Sequence, residues 1–208
     1  MDHPDIIKTL ENAGDAPDSP FILFNDWMAE AEKTEPNDPN AMCLATISPE
    51  GLPDARIVLL KALDEKGFVF YTNRQSKKGS DLAANPVAAL NFYWKTLGRQ
   101  VHVRGTVEQI TDPESDAYFI TRPHGSKIGA WASQQSKPLE NRSTLETRVQ
   151  EFENKFKDDE AIPRPPYWGG YRVKPDIIEF WHAGDFRLHT RLSYKRNGHD
   201  WKKQMLFP

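Results

Sequence analysis

The sequence contains little cysteine, and it lacks the features that would place it in several common classes of protein. Cys43 is the single cysteine, so no internal disulfide can form, and a cytoplasmic location is expected. No apolar run approaches the roughly 18 residues of a membrane-spanning helix, and the start Met1-Asp2-His3-Pro4 lacks a secretory signal pattern. The net charge of −3 argues against nucleic-acid binding, so neither nucleic acid nor membrane is expected as a partner.

The signature motifs of several enzyme classes are also missing. No Gly-x-Gly-x-x-Gly or Gly-Lys-Ser/Thr segment is present, so neither a Rossmann site nor a P-loop is predicted. The lack of a Gly-x-Ser-x-Gly segment disfavours a hydrolase with that nucleophile turn. The six histidines and one cysteine are scattered without the spacing of zinc ligands, and no metal site is expected.

The sequence does contain β-strand and helix patterns, over a length that fits a single domain. Residues 1–19 are polar and are predicted to form a flexible N-terminal arm, and residues 20–208 a single domain. Apolar residues recur at three- and four-residue spacing over residues 21–32, which predicts a helix with Ser19 as its cap and Pro20 at its first position.

Short segments rich in Val, Ile, Leu, Phe and Tyr are predicted as strands over residues 41–48, 54–63, 67–72, 87–94, 100–110, 167–173, 177–181, 188–195 and 201–206. Tight turns such as Arg196-Asn197-Gly198-His199 separate them. Further helices are predicted over residues 76–85, from residue 112 onward, and over 126–133 and 142–156. The pattern favours a mainly β fold, a β-barrel with flanking helices.

Two predicted strands carry cations whose positions point to anion binding. Alternation places Arg56 and Lys61 on opposite faces, where they could serve two different anions or act as charges that protect a sheet edge. The same alternation places Arg187, His189 and Arg191 on one face, which is costly unless these side chains meet anions or water.

Three loop and helix-end segments carry polar side chains that suit a phosphate. In the first, Tyr71-Thr72-Asn73 ends a strand and Ser76-Lys77-Lys78 begins a helix, although a solvated basic turn is the alternative. The second is a polar cluster, Gln134-Gln135-Ser136-Lys137, which could equally be a plain loop.

The third candidate combines a helix face with the turn that follows it. Tyr118 and Arg122 are four residues apart and share a helix face, and Ser126 lies near the start of the next helix. These three side chains could hold one phosphate together. A surface arginine beside a core tyrosine is the alternative.

Several stretches, taken in order along about residues 20 to 208, resemble the pyridoxamine (pyridoxine) 5′-phosphate oxidase family. They are residues 35–42, 56–61, 70–73, 99–101, 126–136, 166–170, 178–181 and 187–189. The resemblance implies an FMN-binding split β-barrel that forms a homodimer with FMN at the subunit interface.

The reaction implied by the resemblance belongs to vitamin B6 metabolism and pyridoxal 5′-phosphate biosynthesis. Pyridoxamine 5′-phosphate or pyridoxine 5′-phosphate would be oxidised to pyridoxal 5′-phosphate, with a hydride passing from the substrate C4′ carbon to flavin N5. Dioxygen would be the final acceptor and would yield hydrogen peroxide.

The resemblance also implies a role for each matching residue. Arg56 and Lys78 would hold the FMN phosphate, and the other cofactor-binding residues would be Ile57, Val58, Leu59, Leu60, Lys61, Tyr71, Thr72, Lys77, Gln100, Gln135, Ser136, and, from the partner chain, Trp181 and Arg191. The substrate phosphate would meet Lys61, Tyr118, Arg122 and Ser126. Arg187, Leu188 and His189 would contact the substrate ring, with Arg187 and His189 as the catalytic pair.

The chain departs from the family pattern near the expected active-site strand and at both ends. Thr190 stands where the family usually has Asp, Gly184-Asp185 replaces an Arg-Pro-like pair, and Met205 stands where Arg is usual. The N-terminal arm also lacks an Arg-Arg-Glu-Tyr-like stretch. Two alternatives therefore stay open: a split-barrel flavin reductase with another substrate, and a non-catalytic pyridoxal 5′-phosphate binding protein.

Overall fold

The structure, a computed structural model, describes residues 10–157 and 161–208. Its strands are β1 Ala41–Ile47, β2 Pro53–Leu59, β3 Ala62–Asp64, β4 Gly67–Asn73, β5 Val87–Trp94, β6 Arg99–Gln109, β7 Trp168–His182, β8 Thr190–Asn197 and β9 Asp200–Leu206. Its helices are α1 Pro20–Thr34, α2 Lys77–Ala84, α3 Asp112–Ile120, α4 His124–Ala132 and α5 Arg142–Lys155. A 3₁₀ turn spans Asp185–Arg187. Within the described ranges, no helix is both long and apolar enough to cross a membrane.

All nine strands belong to one antiparallel sheet that curls on itself. The strand order is β2-β1-β5-β6-β7-β4-β3, and β8 and β9 extend the sheet from β7. Strands β2 and β3 lie at opposite ends of this order, yet only Leu60 and Lys61 join them in the chain. The two ends of the sheet must therefore come together, which confirms the predicted β-barrel with flanking helices.

Helix α1 packs its apolar face into the core of the barrel, as its three- and four-residue spacing predicts. Trp27 is fully buried, and its ring centroid lies 5.2 Å from that of Phe180 on β7. Phe24 makes similar edge contacts with Phe68 and Phe92, each at 5.0 Å between centroids. The helix begins at Pro20 after Ser19, but the Ser19 side chain makes no capping hydrogen bond.

Two predicted strand boundaries are wrong. The expected single strand over residues 54–63 is broken at Leu60-Lys61, because the chain leaves one end of the sheet and joins the other. The expected strands 167–173 and 177–181 are one continuous strand, β7. The pairing of β6 with β7 shifts register at Gly105, where a bulge near Pro175 takes up the extra residue of β7. The strands approach closely here, since a Cβ at Gly105 would overlap the Lys174 carbonyl.

The predicted N-terminal arm falls partly outside the described residues, which exclude residues 1–9. Residues 10–19 lie against the barrel: Leu10 is 1% exposed, and the Tyr194 hydroxyl donates a hydrogen bond to the Pro17 carbonyl at 2.9 Å. The flexibility of the arm and the domain boundary at residue 20 stay predictions.

Candidate active site

A cavity of about 450 Å³ lies between β2, the end of β4, and helices α2, α3 and α4. The predicted site residues that line it are Ile57, Val58, Leu59, Lys61, Tyr71, Thr72, Lys78, Tyr118, Arg122, Ser126 and Gln135. We call these residues the cavity set. Residues from both the proposed cofactor group and the proposed substrate group therefore meet in one space.

One end of the cavity carries the three residues predicted to share a phosphate. Helix α3 ends at Ile120, so Arg122 lies just beyond it rather than within it, and Ser126 lies in the first turn of α4. The Arg122 Nη1 atom is buried and has no hydrogen-bond partner among the described residues. Burial lowers the pKa of this guanidinium, while Tyr118 opposes the shift. A buried guanidinium with a free donor suits an anionic ligand.

The floor at this end is aromatic. The Tyr71 and Tyr118 rings are stacked with centroids 4.0 Å apart, and Tyr71 also stacks on Trp168 at 5.3 Å. Burial raises the pKa of the Tyr71 hydroxyl. Trp168 belongs to the stretch 166–170 that resembles the family, but the sequence did not indicate that it lines the site. The cavity is also lined by Asn73, which belongs to a segment predicted to suit a phosphate, and by three residues that were given no role, Gly129, Ala130 and Ser133.

Of the three cations predicted for the FMN phosphate, Lys78 lines the cavity, whereas Arg56 and Lys77 do not. Lys78 lines the cavity and is 7% exposed, and burial together with Arg56 lowers the pKa of its ammonium group against the effect of Asp54 and Asp81. Among the described residues this ammonium group has no hydrogen-bond partner. Gln135 also lines the cavity, and its Oε1 accepts a hydrogen bond from Thr72 at 3.2 Å.

Arg56 and Lys77 lie outside the cavity lining and are held by acidic side chains. Arg56 donates to Asp54 at 2.6 Å and to the Thr46 hydroxyl at 2.7 Å. Lys77 pairs at 3.0 Å with Asp81, which is buried and four residues along α2. The i,i+4 spacing of Lys77 and Asp81 is the signal from which this pairing could have been predicted.

A second group of predicted residues lies on the outer face of the sheet. Gln100, Trp181 and Arg191 are direct cross-strand neighbours on β6, β7 and β8, and alternation points them away from the buried Val101 and Phe180. Arg191 is fixed by Glu179, whose carboxylate accepts from its Nε at 2.8 Å and raises its pKa.

The prediction that Arg187, His189 and Arg191 share one face of a strand is wrong. Strand β8 begins at Thr190, and the preceding residues form the 3₁₀ turn, in which Phe186 and Arg187 have φ of 53° and 64°. His189 packs on Trp181 with ring centres 4.4 Å apart, and its Nδ1 accepts a hydrogen bond from the Gly184 N–H at 3.2 Å. We call Gln100, Trp181, Arg187, Leu188, His189 and Arg191 the outer-face set.

The last two predicted residues occupy neither set. Leu60 is 8% exposed and belongs to the barrel core, and Ser136 lies in the loop after α4 with φ of 71°. Ser136 instead borders the loop space near Lys77 and Lys137.

The cavity set and the outer-face set lie toward opposite ends of β7. Tyr71 of the cavity set pairs with Gly170 near the start of this strand, and Trp181 of the outer-face set stands eleven residues further along it. At a rise of about 3.3 Å per residue, the strand path between them is roughly 36 Å. A site that uses both sets is therefore expected to need a second copy of the chain.

Two family models match the chain. One, described as pyridoxamine 5′-phosphate oxidase, matches residues 28–156. The other, described as the pyridoxine 5′-phosphate oxidase C-terminal dimerisation region, matches residues 168–208. The first match covers the whole cavity set, and the second covers β7, β8 and β9 with all of the outer-face set except Gln100.

Curated relatives are similar over nearly the whole chain. A pyridoxine/pyridoxamine 5′-phosphate oxidase from Azorhizobium caulinodans is 58% identical over 195 residues, which cover 93% of this chain and 92% of the relative. A protein of the same name from Brucella canis is 56% identical over 192 residues, covering 91% and 94%.

Solved structures share the fold. PhzG from Burkholderia lata, in complex with tetrahydrophenazine-1-carboxylic acid, matches with a TM-score of 0.87 at 33% identity and covers 94% of this chain and 96% of that one. A pyridoxamine 5′-phosphate oxidase-related, FMN binding protein from Nostoc punctiforme matches with a TM-score of 0.73 at 16% identity, covering 91% and 98%. The second likeness supports the fold alone.

Proposed function

The chain belongs to the pyridoxamine 5′-phosphate oxidase family, and from this premise we propose that it oxidises pyridoxamine 5′-phosphate or pyridoxine 5′-phosphate to pyridoxal 5′-phosphate. As a member of that family it is an oxidoreductase of vitamin B6 metabolism with a split-barrel fold. The proposal extends to the cofactor, FMN, and to the final acceptor, dioxygen.

The observation that carries the proposal is a set of phosphate donors that line one cavity. Lys61, Tyr118, Arg122 and Ser126 all border it, and none of the described carboxylates pairs with Arg122. Charge-assisted hydrogen bonds from Lys61 and Arg122 to a phosphate would offset the cost of placing these charges in the cavity. The vitamers carry such a phosphate on an aromatic ring, and the stacked Tyr71 and Tyr118 offer that ring an apolar wall.

FMN fits the remaining cavity residues. Lys78 is a buried ammonium group without a hydrogen-bond partner among the described residues, and it lies near the N-terminus of α2, which favours a phosphate. Tyr71, Thr72 and Gln135 supply hydroxyl and amide groups for a ring system. When bound, FMN supplies the acceptor for the substrate hydride, and dioxygen then takes up the electrons and yields hydrogen peroxide.

A homodimer would bring the two sets of residues together. The C-terminal part of the chain is the dimerisation region of the family, and it holds Trp181 and Arg191. Ile57 at the cavity and Tyr93 beside Gln100 of the outer-face set are 66% and 59% exposed, as is typical of an apolar surface that a partner covers. In this arrangement each cavity receives Gln100, Trp181 and Arg191 from the second copy, and FMN lies at the interface.

The outer-face turn supplies the proposed catalytic pair. Because the Gly184 N–H donates to Nδ1 of His189, that ring presents Nε2–H to its surroundings when neutral. Arg187 lies in the same turn, so a partner that docks Trp181 also brings Arg187 and Leu188 to the substrate ring. Arg187 would orient the ring by its charge, and His189 would hold or move a proton at Nε2.

Oxidation of a tricyclic aromatic carboxylate is a second candidate. The likeness to PhzG, whose structure contains tetrahydrophenazine-1-carboxylic acid, favours it. A carboxylate needs fewer donors than a phosphate, whereas the cavity offers Lys61, Tyr118, Arg122 and Ser126 at one end. The donor set therefore favours the phosphorylated vitamers.

Anaerobic flavin reduction tests the proposal directly. Protein loaded with FMN is mixed without oxygen with pyridoxamine 5′-phosphate, pyridoxine 5′-phosphate or a reduced phenazine carboxylate, and the flavin absorbance is followed. We expect bleaching by the vitamers, and recovery of the colour with release of peroxide once air enters. Bleaching by the phenazine compound alone would favour the second candidate, and failure to bind FMN would refute both.

An Arg187→Ala variant tests the assigned role within the same assay. Turnover is expected to fall by about 100-fold or more, because a charged contact to the reacting ring is lost, while FMN affinity changes little. Arg142→Ala, on the exposed α5 surface, is the control and should behave as wild type. Equal losses of turnover and FMN affinity in Arg187→Ala would contradict the role.

A further inference from the structure

Trp168 opens β7 in the segment Pro166-Tyr167-Trp168-Gly169-Gly170, a motif to which the proposed function gives no role. Its side chain is 6% exposed, and it lines the cavity beside Tyr71 and Arg122. Its position in the lining of a polar cavity, in contact with Tyr71 and Arg122, indicates that it contributes to the site as well as to the core.

The indole contacts both the stacked tyrosines and the Arg122 guanidinium. Its ring plane is within 8° of that of Tyr71 at 5.3 Å and within 6° of that of Tyr118 at 6.2 Å. The Arg122 Cζ atom lies 4.6 Å from the indole centroid, inside the range of a cation–π contact. Phe119 packs edge-on against the same indole at 5.0 Å.

Arg122 is placed by these rings and not by an acid. None of the described carboxylates forms an ion pair with it, and its Nη1 has no hydrogen-bond partner. The nearby Asp112 and Asp116 are occupied by Arg164, at 3.0 Å and 2.6 Å. Aromatic stacking therefore holds the guanidinium in place while leaving its donors free for a ligand.

The rest of the motif explains how Trp168 is held. Arg164 also donates to the Trp168 carbonyl at 2.5 Å, so the arginine that occupies the two acids fixes the backbone of the tryptophan. A Cβ at Gly170 would overlap Ile110 and crowd the Tyr71 ring, and one at Gly169 would overlap the Arg74 guanidinium. Gly170 thus allows β7 to approach the Tyr71 ring closely, whereas at Gly169 the flexible Arg74 side chain could move aside.

We propose that Trp168 is a positioning residue that orients Arg122 toward the substrate phosphate through a direct cation–π contact, while Tyr71 and Tyr118 hold the indole in place. The inference rests on the proposed function, since it assigns Arg122 a phosphate to hold. It predicts that loss of the indole weakens recognition of the phosphate and leaves the chemistry on the ring intact.

The test compares phosphorylated and unphosphorylated substrates in FMN-loaded Trp168→Leu and Trp168→Phe variants. For Trp168→Leu we expect KM for pyridoxamine 5′-phosphate to rise about 10-fold, which corresponds to about 1.4 kcal/mol, with kcat within about twofold of wild type. Trp168→Phe keeps a ring under Arg122 and should give an intermediate value. The kcat/KM for unphosphorylated pyridoxamine and the FMN affinity should not change.

Phe92→Leu is the matched control, because Phe92 is a fully buried aromatic residue of the barrel core that does not line the cavity. It should lower the melting temperature without changing the preference for the phosphorylated substrate. If Trp168→Leu instead reduces kcat/KM equally for both substrates, or loses FMN in parallel, Trp168 is merely structural and the inference is overturned.

A binding measurement separates failure of this inference from failure of the proposed function. Pyridoxal 5′-phosphate and inorganic phosphate are titrated into FMN-loaded wild type and Trp168→Leu. A wild type that binds both but oxidises no vitamer would refute the proposed function, while weaker binding by Trp168→Leu would still support the inference. Equal binding by the two proteins would overturn the inference whatever the activity.

Discussion

At the scale of single residues, Arg122 and Arg164 form a contrasting pair. Arg164 is largely buried and is balanced by Asp112 and Asp116, whereas Arg122 is partly buried and has aromatic neighbours and an Nη1 without a partner among the described residues. An unbalanced buried charge destabilises the free protein and is retained where a ligand supplies the missing charge. The two positions should therefore respond oppositely to loss of charge.

We expect Arg122→Met to raise the free energy of unfolding of ligand-free protein by about 1 kcal/mol, because a buried donor without a partner is removed. The same variant should raise KM for pyridoxamine 5′-phosphate by about 100-fold, since charge-assisted hydrogen bonds to the phosphate are lost. Urea denaturation and steady-state kinetics measure the two effects.

Arg164→Met is the matched control for that experiment. It leaves Asp116 without its cation, leaves Asp112 with Arg74 alone, and frees the Trp168 carbonyl, so it should lower stability. A loss of stability in Arg122→Met similar to that in Arg164→Met would contradict the interpretation of Arg122 as an unbalanced charge.

Residue types and local spacing identified several members of the cavity set as candidates, and the family resemblance gave them their roles. Tyr118, Arg122 and Ser126 meet as expected because a helix end and the following turn bring them together over a short stretch of chain. Trp168 could not be assigned in the same way, because it reaches Tyr71 only through the pairing of β4 with β7. Contacts between distant segments depend on tertiary structure that local patterns do not contain.

At the scale of elements, periodicity predicted the strands and helices but not every boundary. The apolar run of residues 54–63 has no glycine or proline at Leu60-Lys61, so nothing in it marks where the chain passes from β2 to β3. The turn at Phe186 and Arg187 was equally hidden, because positive φ is usually indicated by Gly or Asn.

Helix α1 offers a quantitative test of the element whose sequence pattern was clearest. Trp27 is fully buried against Phe180, Trp94 and the Arg99 guanidinium. Trp27→Ala is expected to lower the free energy of unfolding by about 3–5 kcal/mol, through lost transfer energy and the cavity that remains. Denaturant titration at fixed protein concentration measures this, because subunit association affects apparent stability.

Ile22→Ala on the same helix provides the comparison. Ile22 is 53% exposed, so its truncation should change the free energy of unfolding by less than about 0.5 kcal/mol. Comparable losses in the two variants would show that α1 is not packed by the face that contains Trp27.

At the scale of the whole molecule, the separation of the cavity set from the outer-face set makes each proposed active site a shared structure. Arg122 belongs to the first set and Arg187 to the second, and the two sets lie toward opposite ends of β7. In a symmetric dimer, two such sites form from two copies of the chain.

Mixed dimers of Arg122→Met and Arg187→Ala subunits test this arrangement. Half of the randomly mixed dimers are heterodimers with one intact site, so activity should recover to about a quarter of wild type. Refolding the two variants together and assaying vitamer oxidation measures the recovery. Mixing Arg122→Met with Lys61→Met, two changes in the cavity set, should restore nothing, and recovery there would contradict a shared site.

Lys61 lies in the two-residue link between β2 and β3, where the first and last strands of the sheet order meet. A ligand that binds Lys61 contacts the point where the barrel closes. If the contact exists only in the closed barrel, thermodynamic linkage requires that the free energy of opening rise by the free energy of that contact. Substrate binding and closure of the barrel between β2 and β3 should therefore stabilise each other, so a filled cavity makes opening of the barrel at this point less frequent.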